Sequence, residues 1–171
     1  LIDSEFNLKI ADFGYASVKA SNETRKGTHG YMAPEVEVGD KYNGAYADIF
    51  SIGVILFTMV SQKPPIMAAV LNDTYFKLLA HNQVDFFWKM HKKANKKIKY
   101  SDEFKELIIS LLQFNPEWRP SIAEIKETKW YKGTLPIHDE ILEEFKTRAE
   151  IVGDQNWEVE DDTDNYEPND Y

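Results

Sequence analysis

Residues 46–61 read YADIFSIGVILFTMVS and contain the longest apolar run of the chain, Ile52–Val60. Side chains at helical spacing along this stretch are Ile49, Ile52, Gly53, Leu56, Phe57 and Val60, while Phe50, Val54 and Ile55 fill the other faces. A helix that is apolar nearly all round belongs in the centre of a domain. Pro64 and Pro65 end it, because proline cannot donate the helical hydrogen bond. We therefore predict a buried central helix over Tyr46–Ser61. No uninterrupted run approaches the ~18 residues of a membrane span.

The segments on both sides of this helix predict a chain that is mainly α. Before it, Leu8–Ala11 is predicted to form a short strand, and Asp12–Pro34 a loop unusually long for a compact domain. After it, capping residues and apolar periodicity predict further helices. These cover Asn72–Ala80, a segment capped at Ser101 with Phe104, Leu107, Ile108, Leu111 and Leu112 as its buried stripe, a segment capped at Ser121, and an amphipathic stretch from Ile137 to Ile151.

The acidic charge is concentrated at the end of the chain. The 171 residues carry 20 basic and 29 acidic side chains, a net charge of −9. Residues 154–171 hold eight of the acids and no Lys or Arg, which leaves 20 basic against 21 acidic residues in 1–153. Such a segment buries too little apolar surface to offset its ordering entropy, so we predict a disordered tail. A docking role through Trp157, Tyr166 and Tyr171 is the alternative.

Composition also limits the class of protein. The chain has no cysteine, which excludes disulfide scaffolds, thiolate metal sites and a cysteine nucleophile, and fits an intracellular compartment. The one basic cluster, Lys89–Lys99, is short and is interpreted as an exposed loop, so nucleic-acid binding is disfavoured. No signal-peptide pattern opens the chain, and its first residues resemble the interior of a domain. We therefore expect it to be a piece of a longer protein.

Four short motifs occur in order along the chain. Asp12-Phe13-Gly14 follows the predicted strand, and GTHGYMAPE occupies residues 27–35. DIFSIG opens the central helix at residues 48–53, and NPEWRP lies at residues 115–120 between two later helices. A carboxylate at a strand end, before a flexible glycine, can hold a divalent cation against phosphate oxygens. Mg²⁺ suits this role, because it keeps several waters and needs few protein carboxylates.

With these motifs the chain resembles the C-terminal lobe of a eukaryotic protein kinase, from Leu1 to about Tyr131. The segment from Asp73 through Phe86-Phe87-Trp88 is similar to the calcium/calmodulin-dependent and energy-sensing branch. The resemblance implies an incomplete kinase C-lobe over 1–131 with its activation segment at 12–35. A C-terminal helical extension over 132–153 and the acidic tail would follow. It also implies ATP-dependent transfer of the γ-phosphoryl group to Ser or Thr hydroxyls of a protein substrate.

The resemblance assigns nucleotide and metal roles to the first motif. Asp12 would bind the Mg²⁺ that bridges the β- and γ-phosphates of ATP. Phe13 would be the conformational switch, and Gly14 the hinge, since glycine tolerates positive φ.

The remaining roles concern the protein substrate and the activation segment. Thr28 would contact the substrate residue that follows the phosphorylated hydroxyl, and Thr24 would be a regulatory phosphosite for an upstream kinase. Glu35 and Arg119 would form a buried ion pair, and Asp48 would accept backbone hydrogen bonds from the catalytic loop. Each has a simpler alternative. Asp48 would cap its helix, Arg119 would lie at the surface, Thr28 would be a turn residue and Thr24 an inert exposed threonine.

Several parts of a kinase are absent from these 171 residues. The sequence contains no glycine-rich loop, no V-A-I-K-type lysine and no H-R-D-type catalytic loop, so the catalytic base is expected upstream of Leu1. We predict that the isolated chain is inactive, and that the Phe50/Val54/Phe57 face of the central helix is left exposed. A pseudokinase that binds protein partners is the alternative function, although the intact Asp12 argues against it. No membrane association is expected, and the sequence does not indicate an oligomeric state.

Overall fold

The computed structural model describes residues 1–3 and 7–153, and the predicted acidic tail 154–171 lies outside the described residues. The described part is mainly helical. Seven α-helices are present in it, together with a 3₁₀ helix at Pro116–Trp118. They are α1 Pro34–Val38, α2 Gly44–Ser61, α3 Thr74–Ala80, α4 Val84–Ala94, α5 Asp102–Leu111, α6 Ile122–Glu127 and α7 His138–Gly153. The chain divides into two compact units, one from Asp12 to Gly133 and one formed by Leu1–Ala11 with the residues from Thr134 onward.

The predicted strand at Leu8–Ala11 is reduced to one antiparallel bridge between Ile2 and Leu8. The backbone N–H of Lys9 donates to the carbonyl of Leu1 at 2.8 Å. A strand satisfies its backbone groups by pairing along its length. Residues 9–11 form no bridge with other described residues, so the predicted strand is not confirmed.

The central helix forms as predicted but begins two residues earlier. Its N-cap is Asn43, whose side-chain oxygen accepts a hydrogen bond from the N–H of Ala45 at 2.9 Å. Asp48 therefore lies inside the helix and is not its cap. By length and composition α2 meets the criteria for a membrane span, as core helices of soluble domains also do. Its buried residues Phe50, Val54 and Phe57 identify it as a core helix.

The prediction that the Phe50/Val54/Phe57 face is exposed is wrong, because all three side chains are fully buried. Aromatic residues that follow α3 cover Phe57, and α5 and the 3₁₀ helix also pack against α2. The ring centroid of Phe57 lies 5.8 Å from that of Trp88 and 5.9 Å from that of Tyr100. The exposed apolar residues of α2 are instead Ile52, Ile55, Met59 and Val60.

Helix α4 corrects the interpretation of Lys89–Lys99 as an exposed loop. Residues 84–94 are helical, so the first lysines of this cluster project from the polar face of an amphipathic helix. The opposite face buries Phe87, Trp88 and His91, which are spaced to lie on one side of a helix. The helix was missed because the lysines lower the average hydrophobicity without disturbing this spacing.

Close packing of α2 against α5 depends on Gly53. A Cβ atom at this position would lie 2.8 Å from Cβ of Leu111 and 3.0 Å from Cδ2 of Leu112. The predicted caps of the later helices are confirmed. Ser101 accepts a hydrogen bond from the N–H of Phe104, and Ser121 forms a capping box with Glu124. Helix α7 begins one residue after the predicted start at Ile137 and extends two residues past Ile151; its side chains Ile141, Leu142 and Phe145 are half-buried.

Buried His91 should make the stability of the protein fall in mild acid. Its Nε2 donates to the carbonyl of Pro65 at 3.1 Å, and its ring packs among Phe57, Tyr75 and Phe87. Burial lowers the pKa of His91 from 6.5 to about 4, against smaller opposing effects of the Pro65 carbonyl and Asp73. Below pH 6.5 the unfolded chain therefore gains a proton that the folded chain does not take up until about pH 4.

We expect the His91 contribution to the free energy of unfolding to be complete above pH 6.5 and to be lost toward pH 4. The slope should be at most about 1.4 kcal/mol per pH unit. Urea unfolding of the wild type and His91→Gln between pH 7 and pH 4 measures it, because the amide keeps a donor for Pro65 but does not titrate. Parallel curves for the two proteins would contradict the prediction.

Candidate functional site

The segment from Asp12 to Ala33 contains most of the predicted site residues and runs largely on the surface. Asp12 has a φ of 62°, in the left-handed region that aspartate tolerates better than most residues. Its Oδ1 accepts a hydrogen bond from the N–H of Gly14 at 3.1 Å, and the side chain of Phe13 between them is exposed. This local turn presents a carboxylate whose Oδ2 accepts no hydrogen bond from the described residues.

The donor set at Asp12 is a single carboxylate. Among residues 1–3 and 7–153, no group of three or more His, Cys, Asp or Glu side chains lies close enough together to hold a metal ion. Zn²⁺ sites need three or four such ligands, whereas Mg²⁺ is held by one or two carboxylates, waters and substrate phosphates. The residues present therefore fit Mg²⁺ carried by a phosphate ligand and do not fit a metal held by protein alone.

A cavity of about 460 Å³ lies between this segment and the start of α2. Thr28 and Asp48 both line it, whereas Asp12, Phe13 and Gly14 do not. Desolvation raises the pKa of Asp48 above its ordinary value. No donor from the described residues reaches its carboxylate. The lining of the cavity thus includes an exposed carboxylate, that of Asp48, which accepts no hydrogen bond from the described residues.

Thr28 occupies the first position of a turn. Its carbonyl accepts a hydrogen bond from the N–H of Tyr31 at 2.9 Å, and the preceding Gly27 has a φ of 124°. The carbonyl of Tyr31 in turn accepts from the hydroxyl of Ser51 on α2 at 2.8 Å. Thr28 therefore belongs both to the turn and to the wall of the cavity, and its side chain is exposed.

Glu35 and Arg119 form a bidentate ion pair across 84 residues of sequence. Arg119 Nη1 and Nη2 lie 2.6 and 2.7 Å from the two carboxylate oxygens of Glu35. The side chain of Arg119 is 0% exposed and that of Glu35 11%. Arg119 also donates to the carbonyls of Gln113 and Tyr46, each at 2.9 Å, and its guanidinium lies 5.1 Å from the ring centroid of Phe50. Arg119 is therefore a core residue and not a surface residue.

Thr24 is exposed, and the hydrogen bond that it forms with the described residues involves its backbone. Its carbonyl accepts a hydrogen bond from the hydroxyl of Tyr42 at 3.0 Å. Two backbone hydrogen bonds, at 2.8 and 2.9 Å, pair Asn22 with the same tyrosine. The side chain of Thr24 is thus exposed to solvent, while Tyr42 holds the backbone at Thr24 and at Asn22.

The sequence did not indicate the role of Glu37, which is buried on α1 and contacts Arg25 and His29. The one sequence signal for burial of Glu37 was its position between two apolar residues, Val36 and Val38, shortly after Pro34. A charged residue enclosed in this way needs a partner of opposite charge. The partners lie 8 and 12 residues earlier, in a loop without regular structure, so no spacing rule identifies them.

Comparison with known proteins identifies the family. The family model for the protein kinase domain matches residues 1–131. The chain is 36% identical over 161 residues to the cell cycle serine/threonine-protein kinase CDC5/MSD2 of Saccharomyces cerevisiae, covering 90% of this chain and 22% of that protein.

Plant kinases show similar identity. CBL-interacting protein kinase 11 of Oryza sativa subsp. japonica is 34% identical, covering 87% of this chain and 29% of that protein. CBL-interacting serine/threonine-protein kinase 21 of Arabidopsis thaliana is also 34% identical, covering 88% of this chain and 35% of that protein. The chain thus spans 22–35% of the length of these three relatives.

Proposed function

Because the chain belongs to the protein kinase domain family, we propose that it forms the C-terminal lobe of an ATP- and Mg²⁺-dependent serine/threonine protein kinase. The observation that carries this proposal is the order of the motifs along a matched region that spans 1–131. The names of the related kinases support Ser and Thr as acceptors. We assign residues 12–35 to the activation segment, 132–153 to a C-terminal extension and 154–171 to an acidic tail.

Asp12 is proposed as the metal ligand of this kinase, with Phe13 and Gly14 completing the nucleotide-binding motif. When bound, Mg²⁺ neutralises charge on the β- and γ-phosphates of ATP during transfer. The free Oδ2 of Asp12 is the atom we expect to bind it, while Oδ1 keeps the hydrogen bond to Gly14. The turn thereby holds the carboxylate in one orientation.

Thr28 and Asp48 are proposed to act on the protein substrate and on the catalytic loop, respectively. Thr28 lines the cavity of about 460 Å³ and would contact the substrate residue after the phosphorylated hydroxyl. The unpaired carboxylate of Asp48 at the same cavity is free to accept backbone hydrogen bonds from a catalytic loop. Glu35 and Arg119 would hold the end of the activation segment against the helical core.

The experiment compares this chain with a protein that also contains the N-terminal lobe and the catalytic loop. With Mg²⁺ and radiolabelled ATP, the longer protein should label Ser or Thr residues of a mixed peptide library, and the 171-residue chain should label none. Nucleotide binding without transfer by the longer protein would favour the pseudokinase alternative. Transfer to tyrosine alone would refute the proposed acceptor class.

Thr24 is proposed as the activating phosphosite. Its hydroxyl is exposed, and a phosphate there would add about −1.5 to −2 charges and three strong acceptor oxygens. Arg25 and Lys26 follow it directly, although Arg25 is already paired with Glu37. In the longer kinase, treatment with an upstream kinase should raise the activity of the wild type and leave Thr24→Ala unchanged. An equal rise in Thr24→Ala would exclude Thr24 and direct attention to Ser21.

This kinase is proposed to act inside the cell on protein substrates, under the control of an upstream kinase. The absence of cysteine fits a reducing compartment. The burial of Phe50, Val54 and Phe57 supports α2 as a core helix of this domain. The near-neutral charge of residues 1–153 gives no support for nucleic acid as a partner.

A further inference from the structure

Glu37 is a buried carboxylate in a short helix that follows the activation segment. Its side chain is 1% exposed, although it lies on α1, a helix of only five residues. An ionised carboxylate in such a position is costly unless charged or hydrogen-bonding groups surround it. The groups that contact Glu37 therefore affect the stability of its charge more than the neighbours of an exposed glutamate would.

Both partners of Glu37 belong to the activation segment. Arg25 Nη2 donates to Oε2 of Glu37 at 2.6 Å, and Nδ1 of His29 lies 3.1 Å from both carboxylate oxygens. The side chains of Arg25 and His29 are 49% and 65% exposed. A buried acid thus draws two largely exposed residues onto α1, and we call these three residues the Glu37 clasp.

His29 completes the clasp as a donor. Its Nδ1 lies 3.1 Å from both carboxylate oxygens, which can only accept, so a proton on Nδ1 makes this contact a hydrogen bond. Nδ1 also lies 3.2 Å from Nη2 of Arg25. The imidazole is thus held against the other two side chains.

The clasp encloses the turn that contains Thr28. Arg25 and His29 lie on either side of Gly27 and Thr28 in sequence, and both are held by the same carboxylate. Gly27 has a φ of 124°, a backbone conformation that residues with a side chain rarely adopt. The segment before the clasp is anchored separately by Tyr42, which pairs with Asn22 and binds the carbonyl of Thr24.

We infer that Glu37 is a positioning residue, which sets the path of Gly27–Thr28 and thereby the site for the substrate residue after the phosphorylated hydroxyl. This inference rests on the proposed function of Thr28. Glu37 does not line the cavity, so it acts on the substrate only through Arg25 and His29. Arg25 and His29 are held by the carboxylate of Glu37, so this contact forms without phosphorylation of Thr24.

The test uses two substitutions of Glu37 in the longer kinase. Glu37→Gln keeps the shape and removes the charge, and Glu37→Leu fills the buried position with an apolar side chain. Removing one partner of a buried ion pair is costly when the other charge stays buried, whereas a pair replaced by apolar residues often leaves stability unchanged or raised. Arg25 and His29 are exposed enough to be solvated when released. We therefore expect Glu37→Leu to remain folded, with a melting temperature at or above that of the wild type.

In both variants the KM for a peptide substrate should rise about tenfold or more, because small displacements of a positioning element weaken productive binding. The KM for ATP should stay within about twofold, since Asp12 is not part of the clasp. The matched control is Glu23→Gln. Glu23 lies in the activation segment, and its exposed ion pair with Lys41 would lose the same charge. An unchanged peptide KM in Glu37→Leu, or an equal rise in both KM values, would overturn the inference.

A second measurement does not depend on kinase activity. Trypsin cuts after Arg25 and Lys26, and mass spectrometry follows these two cleavages in the 171-residue protein. Release of the clasp should speed them about tenfold in Glu37→Leu relative to Glu23→Gln, because local opening governs cleavage of a folded chain. Equal rates would refute the clasp itself. A kinase without transfer activity but with accelerated cleavage in Glu37→Leu would refute the proposed function and leave the clasp intact.

Discussion

Replacing Asp12 with asparagine should lower the kcat of the longer kinase by about 100-fold or more, the scale at which removal of one electrostatic contact to the reacting group slows an enzyme. Asparagine removes the negative charge that we expect to bind Mg²⁺. It retains an Oδ1 that can accept from the N–H of Gly14, now at 3.1 Å, and it tolerates the φ of 62°. The local turn should therefore survive while the metal ligand is lost.

The measurement is phosphoryl transfer with saturating Mg²⁺ and ATP, together with thermal unfolding of the same protein. The melting temperature should be unchanged within about 1 °C, since exposed substitutions usually alter stability little. Asp40→Asn is the matched control, because Asp40 is also exposed and lies outside the proposed site. A kcat for Asp12→Asn within twofold of this control would refute the assignment of Asp12 as the metal ligand.

Replacing Arg119 with alanine should destabilise the protein by about 3–5 kcal/mol, the usual cost of removing one partner of a buried ion pair. Glu35 would keep its charge at 11% exposure without a counterion. The carbonyls of Gln113 and Tyr46 would each lose the hydrogen bond from Arg119, and Phe50 would lose the guanidinium above its ring. The effect is large because one side chain satisfies acceptors from three parts of the chain.

Thermal unfolding checks this prediction, and the melting temperature should fall by about 10 °C or more for a domain of this size. Arg148→Ala is the matched control, because Arg148 pairs with Glu144 on the surface of α7 and such pairs contribute about 0–1 kcal/mol. A second variant, Arg119→Met with Glu35→Leu, should recover much of the loss, since it leaves no buried charge unpaired. Equal melting temperatures for Arg119→Ala and Arg148→Ala would contradict the prediction.

Features that depend on neighbouring residues were predictable from the sequence. The helix ends at Ser101 and Ser121 were predictable because a cap is a hydrogen bond between residues three apart. The central helix was predictable because its apolar residues follow one another without interruption over several turns. Its first residue was misplaced by two positions, since Asn43 caps it from outside the apolar stretch.

The same local rules failed where charge obscured periodicity. Lysines in Lys89–Lys99 suggested an exposed loop, although Phe87, Trp88 and His91 already had the spacing of a helical face. The Phe50/Val54/Phe57 face of α2 was predicted to be exposed for a different reason, because a helix upstream of Leu1 was expected to cover it. Residues within the chain bury this face instead, since burial of a face depends on the elements that pack against it.

For this protein, the sequence alone determined the helical class, the central helix, the caps at Ser101 and Ser121 and the motifs that identify a kinase domain, because each depends on residues near one another in the chain. Only the tertiary structure decided which acids are buried and which cations meet them. Arg119 reaches Glu35 across 84 residues, and Arg25 and His29 reach Glu37 from an irregular loop. The energy of a buried charge depends on neighbours brought together by folding, and no spacing along the sequence encodes them.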